Sequence, residues 1–168
     1  MRRLVPWILL VVIAAGYGWQ RTGGGGASPP SSSGTAPVVR VVDGDTILVS
    51  LGGRDERVRY IGVDTPETVK PRTPVQCFGK KASAYNHRLV EGRDVRLQFD
   101  AEERDRYGRL LAYVYRARDG LFVNAELVRD GYARPLTIAP NVRHAGEFAA
   151  LAGAARRAGR GLWSACGR

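Results

Sequence analysis

From Pro37 onward, apolar and polar positions alternate in short runs, the two-residue period of a strand with one buried face. Val38–Val42 and Thr46–Leu51 are two such runs separated by Asp43-Gly44-Asp45, and Gly52-Gly53 after the second is a hairpin signal. Glu56–Ile61 continues as a third strand, with Val58 and Tyr60 on one face and Arg57 and Arg59 on the other. The period lengthens over Lys80–Glu91, where Ala82, Tyr85, Leu89 and Val90 form the apolar stripe of a helix stopped at Gly92. Asp94–Phe99 returns to alternation with Val95, Leu97 and Phe99 inward, and Gly108–Tyr115 is a fifth strand. Asn124 is placed to cap a short helix through Arg129, ended by Gly131, and Arg143–Arg157 predicts a last helix carrying Phe148 and Leu151. Five strands with one helix inserted and two following is an α+β order compatible with a small Greek-key barrel.

Ahead of this pattern the chain changes character. Met1-Arg2-Arg3 and the apolar run Leu4–Trp19, interrupted by Pro6, have the form of an export signal or a short signal anchor. The run is shorter than the ~20 residues that usually span a bilayer, and Ala14-Ala15-Gly16 supplies small residues for cleavage. A cleaved signal at 1–19 and a membrane tether through residues 4–19 both stand. Residues 20–36, rich in glycine, serine and proline, offer almost nothing to bury and are expected to form a flexible, disordered linker. That leaves one domain at 37–168. The formal charge of the chain is +10, and +7 remains when residues 1–36 are set aside. The excess therefore belongs to the domain, where it favours polyanionic partners. Cys77 and Cys166 stand in no metal-ligand spacing; after export such a pair can persist as a disulfide, tying the loop after residue 67 to the carboxyl terminus.

Three short blocks carry candidate chemistry: Val-Val-Asp-Gly-Asp-Thr at 41–46, Arg-Tyr-Ile-Gly-Val-Asp-Thr-Pro-Glu at 59–67, and Asp-Arg-Tyr-Gly-Arg at 105–109. Carboxylates flanking a turn at Pro66 can offer oxygen ligands to a hard divalent cation. An arginine beside them can hold a phosphate by its planar fork. Phosphodiester hydrolysis needs an activated water, neutralised phosphoryl charge and help for the departing oxygen, and these residue types match those needs. An Asp-Thr-Pro-Glu turn alone is also an ordinary way to leave a strand, so its weight comes from the other two blocks.

In this order and spacing, the blocks resemble the staphylococcal nuclease (thermonuclease) family over about residues 38–164. The resemblance implies a five-stranded OB-fold barrel with three helices. It also implies a calcium-dependent nuclease, endo or exo in mode, that cuts DNA and RNA with little sequence preference and leaves 3'-phosphates. Such an enzyme would act as a monomer on single-stranded or locally opened substrate, and the leader at 1–19 would have it secreted or anchored on the outer side of the cytoplasmic membrane. Ca2+ would be held by the Asp45 and Asp64 carboxylates and the Thr65 main-chain oxygen, with Asp43 as a supporting acid or merely a turn former. Glu67 would orient or deprotonate the attacking water, Arg59 and Arg109 would grip the phosphate, and Arg106 and Tyr107 would line a nucleotide pocket. Carboxylates are weak bases, so positioning must supply much of the effect of Glu67.

The segment Arg134–Asn141 departs from the family pattern. It lacks the tyrosines that form the pocket's other wall and is one residue shorter, so base stacking there is not implied. The alternative to catalysis is a nucleic-acid-binding OB module, but simple binding needs no carboxylates, which repel phosphate. His87 and His144 lack partner motifs and are expected on helix surfaces.

Overall fold

Backbone pairing closes the predicted strands into a barrel. The computed structural model describes residues 32–68 and 74–166; the leader at 1–19, the linker up to residue 31 and the centre of the loop at 68–76 lie outside the described residues. β1 (Ser32–Asp43), β2 (Thr46–Leu51) and β3 (Arg54–Tyr60) form an antiparallel meander, followed by the two-residue β4 (Val63–Asp64). Then come α1 (Gly79–Val90), β5 (Asp94–Gln98), β6 (Leu110–Arg116), α2 (Val123–Arg129), β7 (Arg134–Pro135), α3 (Ala145–Arg157) and α4 (Leu162–Ala165). The strand order is β1-β2-β3-β6-β5, with β5 pairing back onto β1 to close the barrel. This is the five-stranded OB barrel that the resemblance implies.

The two-residue period sorts the side chains. Ile47, Val49, Val58, Tyr60, Val95, Leu97, Ala112 and Val114 are buried in the core, and each large apolar side chain withdrawn from water contributes ~1.5–3 kcal/mol. Arg57 and Arg59 alternate with Val58 and Tyr60 and so fall on the other face of β3. β3 and β6 pair in parallel, with Arg59 opposite Leu111. Arg109 stands two residues before Leu111 and therefore projects to the same face as Arg59.

Several details differ from the sequence-based expectation. β1 begins at Ser32 rather than Val38: Thr35, Ala36 and Pro37 pair with Arg96, Val95 and Asp94, and Ala36 is buried. The last five residues of the expected linker are thus strand, because the open edge of β5 pairs with their main chain whatever their side chains. β4 and β7 pair antiparallel, Asp64 opposite Arg134, and α4 adds a short fourth helix. Elements this brief leave no periodic pattern to read. Asn124 does not cap α2. It is buried, accepting from the Val114 N–H (2.9 Å) and donating to the Ile61 carbonyl (2.9 Å), so tertiary bonds displace the local cap. His87 pairs with Glu91 near the surface, as expected, whereas the His144 ring sits edge-on to Tyr113 and Phe122, 4.6 and 4.9 Å away. Cys77 and Cys166 are joined by a disulfide across a sequence separation of 89; a crosslink over so long a loop stabilises by ~4 kcal/mol in the chain-entropy model.

Candidate active site

The first acid block is locked to the second by main-chain and side-chain bonds. Asp45 is buried; its Oδ2 accepts from the Thr65 N–H (2.8 Å) and hydroxyl (3.0 Å), and its Oδ1 accepts from the Thr46 hydroxyl (3.1 Å). Gly44 makes this approach possible, since a Cβ there would lie 2.6 Å from Thr65 Oγ1. Asp43 Oδ1 accepts from the Gly44 N–H (2.7 Å) and the Thr68 hydroxyl (2.6 Å). Its carbonyl accepts from the buried Asn86 amide (2.9 Å), whose oxygen in turn accepts from the Tyr60 hydroxyl (3.0 Å).

Arg59 leaves the end of β3 and is held by the turn that follows. Its Nη1 donates to the Tyr60 and Val63 carbonyls (2.9 and 2.7 Å). Its Nη2 lies 3.2 Å from Asp45 Oδ2 and 3.1 Å from Asp64 Oδ1. A single guanidinium nitrogen therefore touches both acids, and the main chain fixes the plane of the fork. Glu67 follows Pro66, and its Oε1 accepts from the Thr68 N–H (2.9 Å).

Arg109 comes from the turn before β6, and Asp105 builds that turn. Asp105 Oδ1 accepts from the N–H groups of Tyr107 and Arg109 (2.9 and 3.0 Å), while Oδ2 accepts from Arg109 Nε (2.7 Å) and pairs with its Nη2 (2.7 Å). Partial burial would raise the Asp105 carboxyl, but the Arg109 side chain and the two turn N–H groups outweigh it and hold the group below the usual carboxylate range. Tyr107 is 68% exposed, with the Arg106 and Arg109 guanidiniums 4.8 and 5.6 Å from its ring centre.

Two adjoining cavities collect these groups. A recess of about 180 Å³ is lined by Asp43, Asp45, Asp64, Thr65, Glu67, Arg59 and Arg109, among others. Beside it, sharing Arg59 and Arg109, lies a cavity of about 460 Å³ with Arg106 and Tyr107 on one side and Leu136, Ile138 and Asn141 on the other. The six residues expected to serve metal and catalysis thus meet in one recess. The two expected to contact the nucleotide line its neighbour, where the wall at 136–138 is aliphatic.

Crowded acids set the electrostatics. Burial raises the Asp43 carboxyl above its ordinary value, opposed by bonds from Thr68 and Gly44 and reinforced by Glu67 and Asp45. Burial likewise raises Asp64; Arg59 pulls it down, and Asp45 and Glu67 push it up. The Asp64 side chain is about half exposed, so solvent screens part of this. A carboxyl raised in the folded state binds its proton more tightly there than in the unfolded chain, so its stability contribution grows as pH falls toward the unfolded value of 3.8. Asp64→Asn is accordingly expected to raise the melting temperature in chelator at pH 7 by about 2 °C, the size of a screened effect under ~1 kcal/mol. That advantage should shrink when the melts are repeated near pH 4.

Asp105, Asn86 and Gln76 belong to the site's support; in the sequence Asp105 stands within the 105–109 block without an assigned role, and the other two are not singled out. Asp105 carried a signal, standing at the head of an Asp-x-x-Gly turn. Asn86 did too, as a polar residue four positions after Ala82 on the apolar stripe of α1. Gln76 carried none.

A closed OB barrel with clustered acids and forked cations on one flank defines a class of phosphate-handling protein. A family model described as staphylococcal nuclease homologue matches residues 57–165. Thermonuclease of Staphylococcus hyicus is 43% identical over 130 residues, covering 77% of this chain and 76% of that protein. Thermonuclease of Staphylococcus intermedius is 51% identical over 107 residues, 64% of this chain and 62% of its own length. Endonuclease YncB of Bacillus subtilis (strain 168) is 42% identical over 130 residues, 76% of this chain and 61% of its own length. The chain belongs to the staphylococcal nuclease family.

Proposed function

We propose that the protein is a calcium-dependent nuclease that hydrolyses phosphodiester bonds of DNA and RNA with low sequence specificity, leaving 3'-phosphates. One observation carries this: the recess in which Asp45, Asp64 and Glu67 face Arg59 and Arg109. A module that only bound nucleic acid would gain nothing from carboxylates at the phosphate position. The relatives named thermonuclease and endonuclease support the nuclease class.

The donor set suits a hard cation. Among the described residues no three His, Cys, Asp or Glu side chains form a ready-made cage. Two carboxylates lie within 3.2 Å of one guanidinium nitrogen, however, with Thr65 bonded to one of them, and calcium accepts carboxylates, main-chain carbonyls and water together. Asp45, Asp64 and the Thr65 main-chain oxygen would hold the ion, which when bound supplies Lewis-acid polarisation and charge neutralisation.

The chain's own residues perform the rest. Glu67 orients the attacking water and accepts its proton. Arg59 and Arg109 donate to the non-bridging phosphoryl oxygens, and those bonds strengthen as negative charge builds toward the transition state. Arginine stays protonated, so neither acts as the acid for the leaving oxygen; the 5'-oxygen, whose bond to phosphorus breaks as the water oxygen bonds, takes its proton from solvent. Tyr107 offers an exposed ring face for a base, with Arg106 beside it.

The purified full chain is expected to degrade single-stranded DNA when calcium is supplied and to stop when a chelator is added. Tight binding without cleavage in calcium would favour a non-catalytic OB module. We also infer export, because a disulfide persists in oxidising compartments. Mass spectrometry of the mature amino terminus separates a cleaved signal from a tether at residues 4–19.

A further inference from the structure

Behind the turn that carries Asp64 and Glu67 lies a cleft of about 210 Å³ whose walls include Asp64, Pro66, Gln76 and both bonded cysteines. Gln76 bridges to Glu67 in both directions. The Glu67 N–H donates to Gln76 Oε1 (2.9 Å), and the Gln76 N–H donates to the Glu67 carbonyl (3.0 Å). The start of α1 presses on the same point: a Cβ on Gly79 would lie 2.9 Å from the Glu67 carbonyl oxygen. Glu67 is therefore placed by the 76–79 corner as well as by the turn at Pro66 that follows β4.

That corner is bolted to the far end of the chain. Cys77 is bonded to Cys166, with Cα atoms 5.8 Å apart. The Cys166 N–H donates to the Leu162 carbonyl (3.1 Å), Leu162 is buried, and its N–H donates to the Gly131 carbonyl (2.8 Å). Gly131 and Gly161 approach so closely that a Cβ on Gly161 would lie 2.3 Å from the Gly131 carbonyl oxygen. Trp163 packs beneath Arg134, 4.6 Å away, and Arg134 is the strand partner of Asp64. The carboxyl-terminal segment thus reaches two of the active-site acids.

We propose that Gln76 and the Cys77–Cys166 disulfide are positioning elements for Glu67, so that reducing the disulfide lowers turnover while the barrel stays folded. This rests on the role of Glu67 proposed above. A dithiol reductant passes two electrons and two protons to the bond, leaving Cys77 and Cys166 as thiols and becoming a disulfide itself. Cys77 is exposed and within reach of such a reagent. Neither cysteine lies in a barrel strand, so the barrel closes without the crosslink; the 76–77 corner is then anchored by α1 alone, and Glu67, bonded to that corner, is held less firmly. The enzyme would be slow in a reducing interior and reach its full rate only after oxidation, which spares the nucleic acids of the producing cell.

The test compares kcat and KM of the full chain on single-stranded DNA in calcium, oxidised and after dithiothreitol, alongside Gln76→Met, Gln76→Glu and Glu67→Gln. Reduction and Gln76→Met are each expected to lower kcat roughly tenfold or more, the scale of a small misplacement of a reacting group. KM should stay within about twofold, and exchange of the Glu67 amide hydrogen should quicken. Gln76→Glu keeps an acceptor oxygen and should recover most of the rate. Reduction of Glu67→Gln should add nothing further. If Glu67→Gln is slow while the reduced protein and Gln76→Met keep full kcat, the positioning role is overturned and the nuclease assignment stands. If Glu67→Gln itself keeps full rate, the role of Glu67 falls, and this proposal with it. A drop on reduction that is equally large in Glu67→Gln would mean general loosening and overturns the proposal. Should the reduced chain unfold, the claim for the disulfide is overturned, and the two Gln76 variants decide the role of Gln76 with the disulfide intact.

Discussion

Glu67→Gln is expected to lower kcat on single-stranded DNA by roughly 10²–10³-fold, the usual cost of losing a positioned general base. Glutamine matches glutamate in shape and keeps an oxygen to accept the Thr68 N–H, so the turn at Pro66 should persist. What disappears is the capacity to take a proton and one negative charge among crowded acids. KM should change little, because the proposed mechanism gives phosphate binding to Arg59 and Arg109. A variant with wild-type kcat and an unchanged spectrum would remove Glu67 from the chemistry.

The two arginines should part company when each is cut to alanine. Both variants are expected to lose roughly 10²–10³-fold in kcat, the scale for deleting one donor to a developing oxyanion. Their stabilities should differ. Arg59 is only 15% exposed, bonds two main-chain carbonyls and separates Asp45 from Asp64. Removing it leaves buried acceptors and mutually repelling acids, at a cost of about 3 kcal/mol, or a melting temperature lower by roughly 10 °C. Arg109 is 31% exposed and bonds chiefly to Asp105; water can replace it, so Arg109→Ala should cost less than ~1 kcal/mol. Melts showing equal destabilisation would contradict this division between a built-in cation and a presented one.

The candidate site was legible in the sequence to the extent that its parts are consecutive. Asp45, Arg59, Asp64, Glu67 and Arg109 stand in three compact blocks, and strand periodicity places Arg57 and Arg59 away from the core face carrying Val58 and Tyr60. The supports were not legible, because they act across the fold. Gln76 reaches Glu67 around a loop, and Asn86 joins α1 to the Asp43 carbonyl; one-dimensional spacing does not encode either meeting. Asn124 misled, since its type suits a helix cap and a buried bridge equally well. The start of β1 was hidden for a related reason: pairing with β5 depends on main chain, which a glycine- and serine-rich composition does not advertise.

The parallel pairing of β3 with β6 has a further consequence. Fifty positions of chain separate the two arginines, yet a backbone ladder, not the length of the intervening helix and hairpin, sets how far apart they sit. Insertions or deletions in α1 and its connection to β5 can accumulate without retuning that spacing. A one-residue slip in the ladder itself would turn one guanidinium toward the barrel interior and undo the pair in a single step.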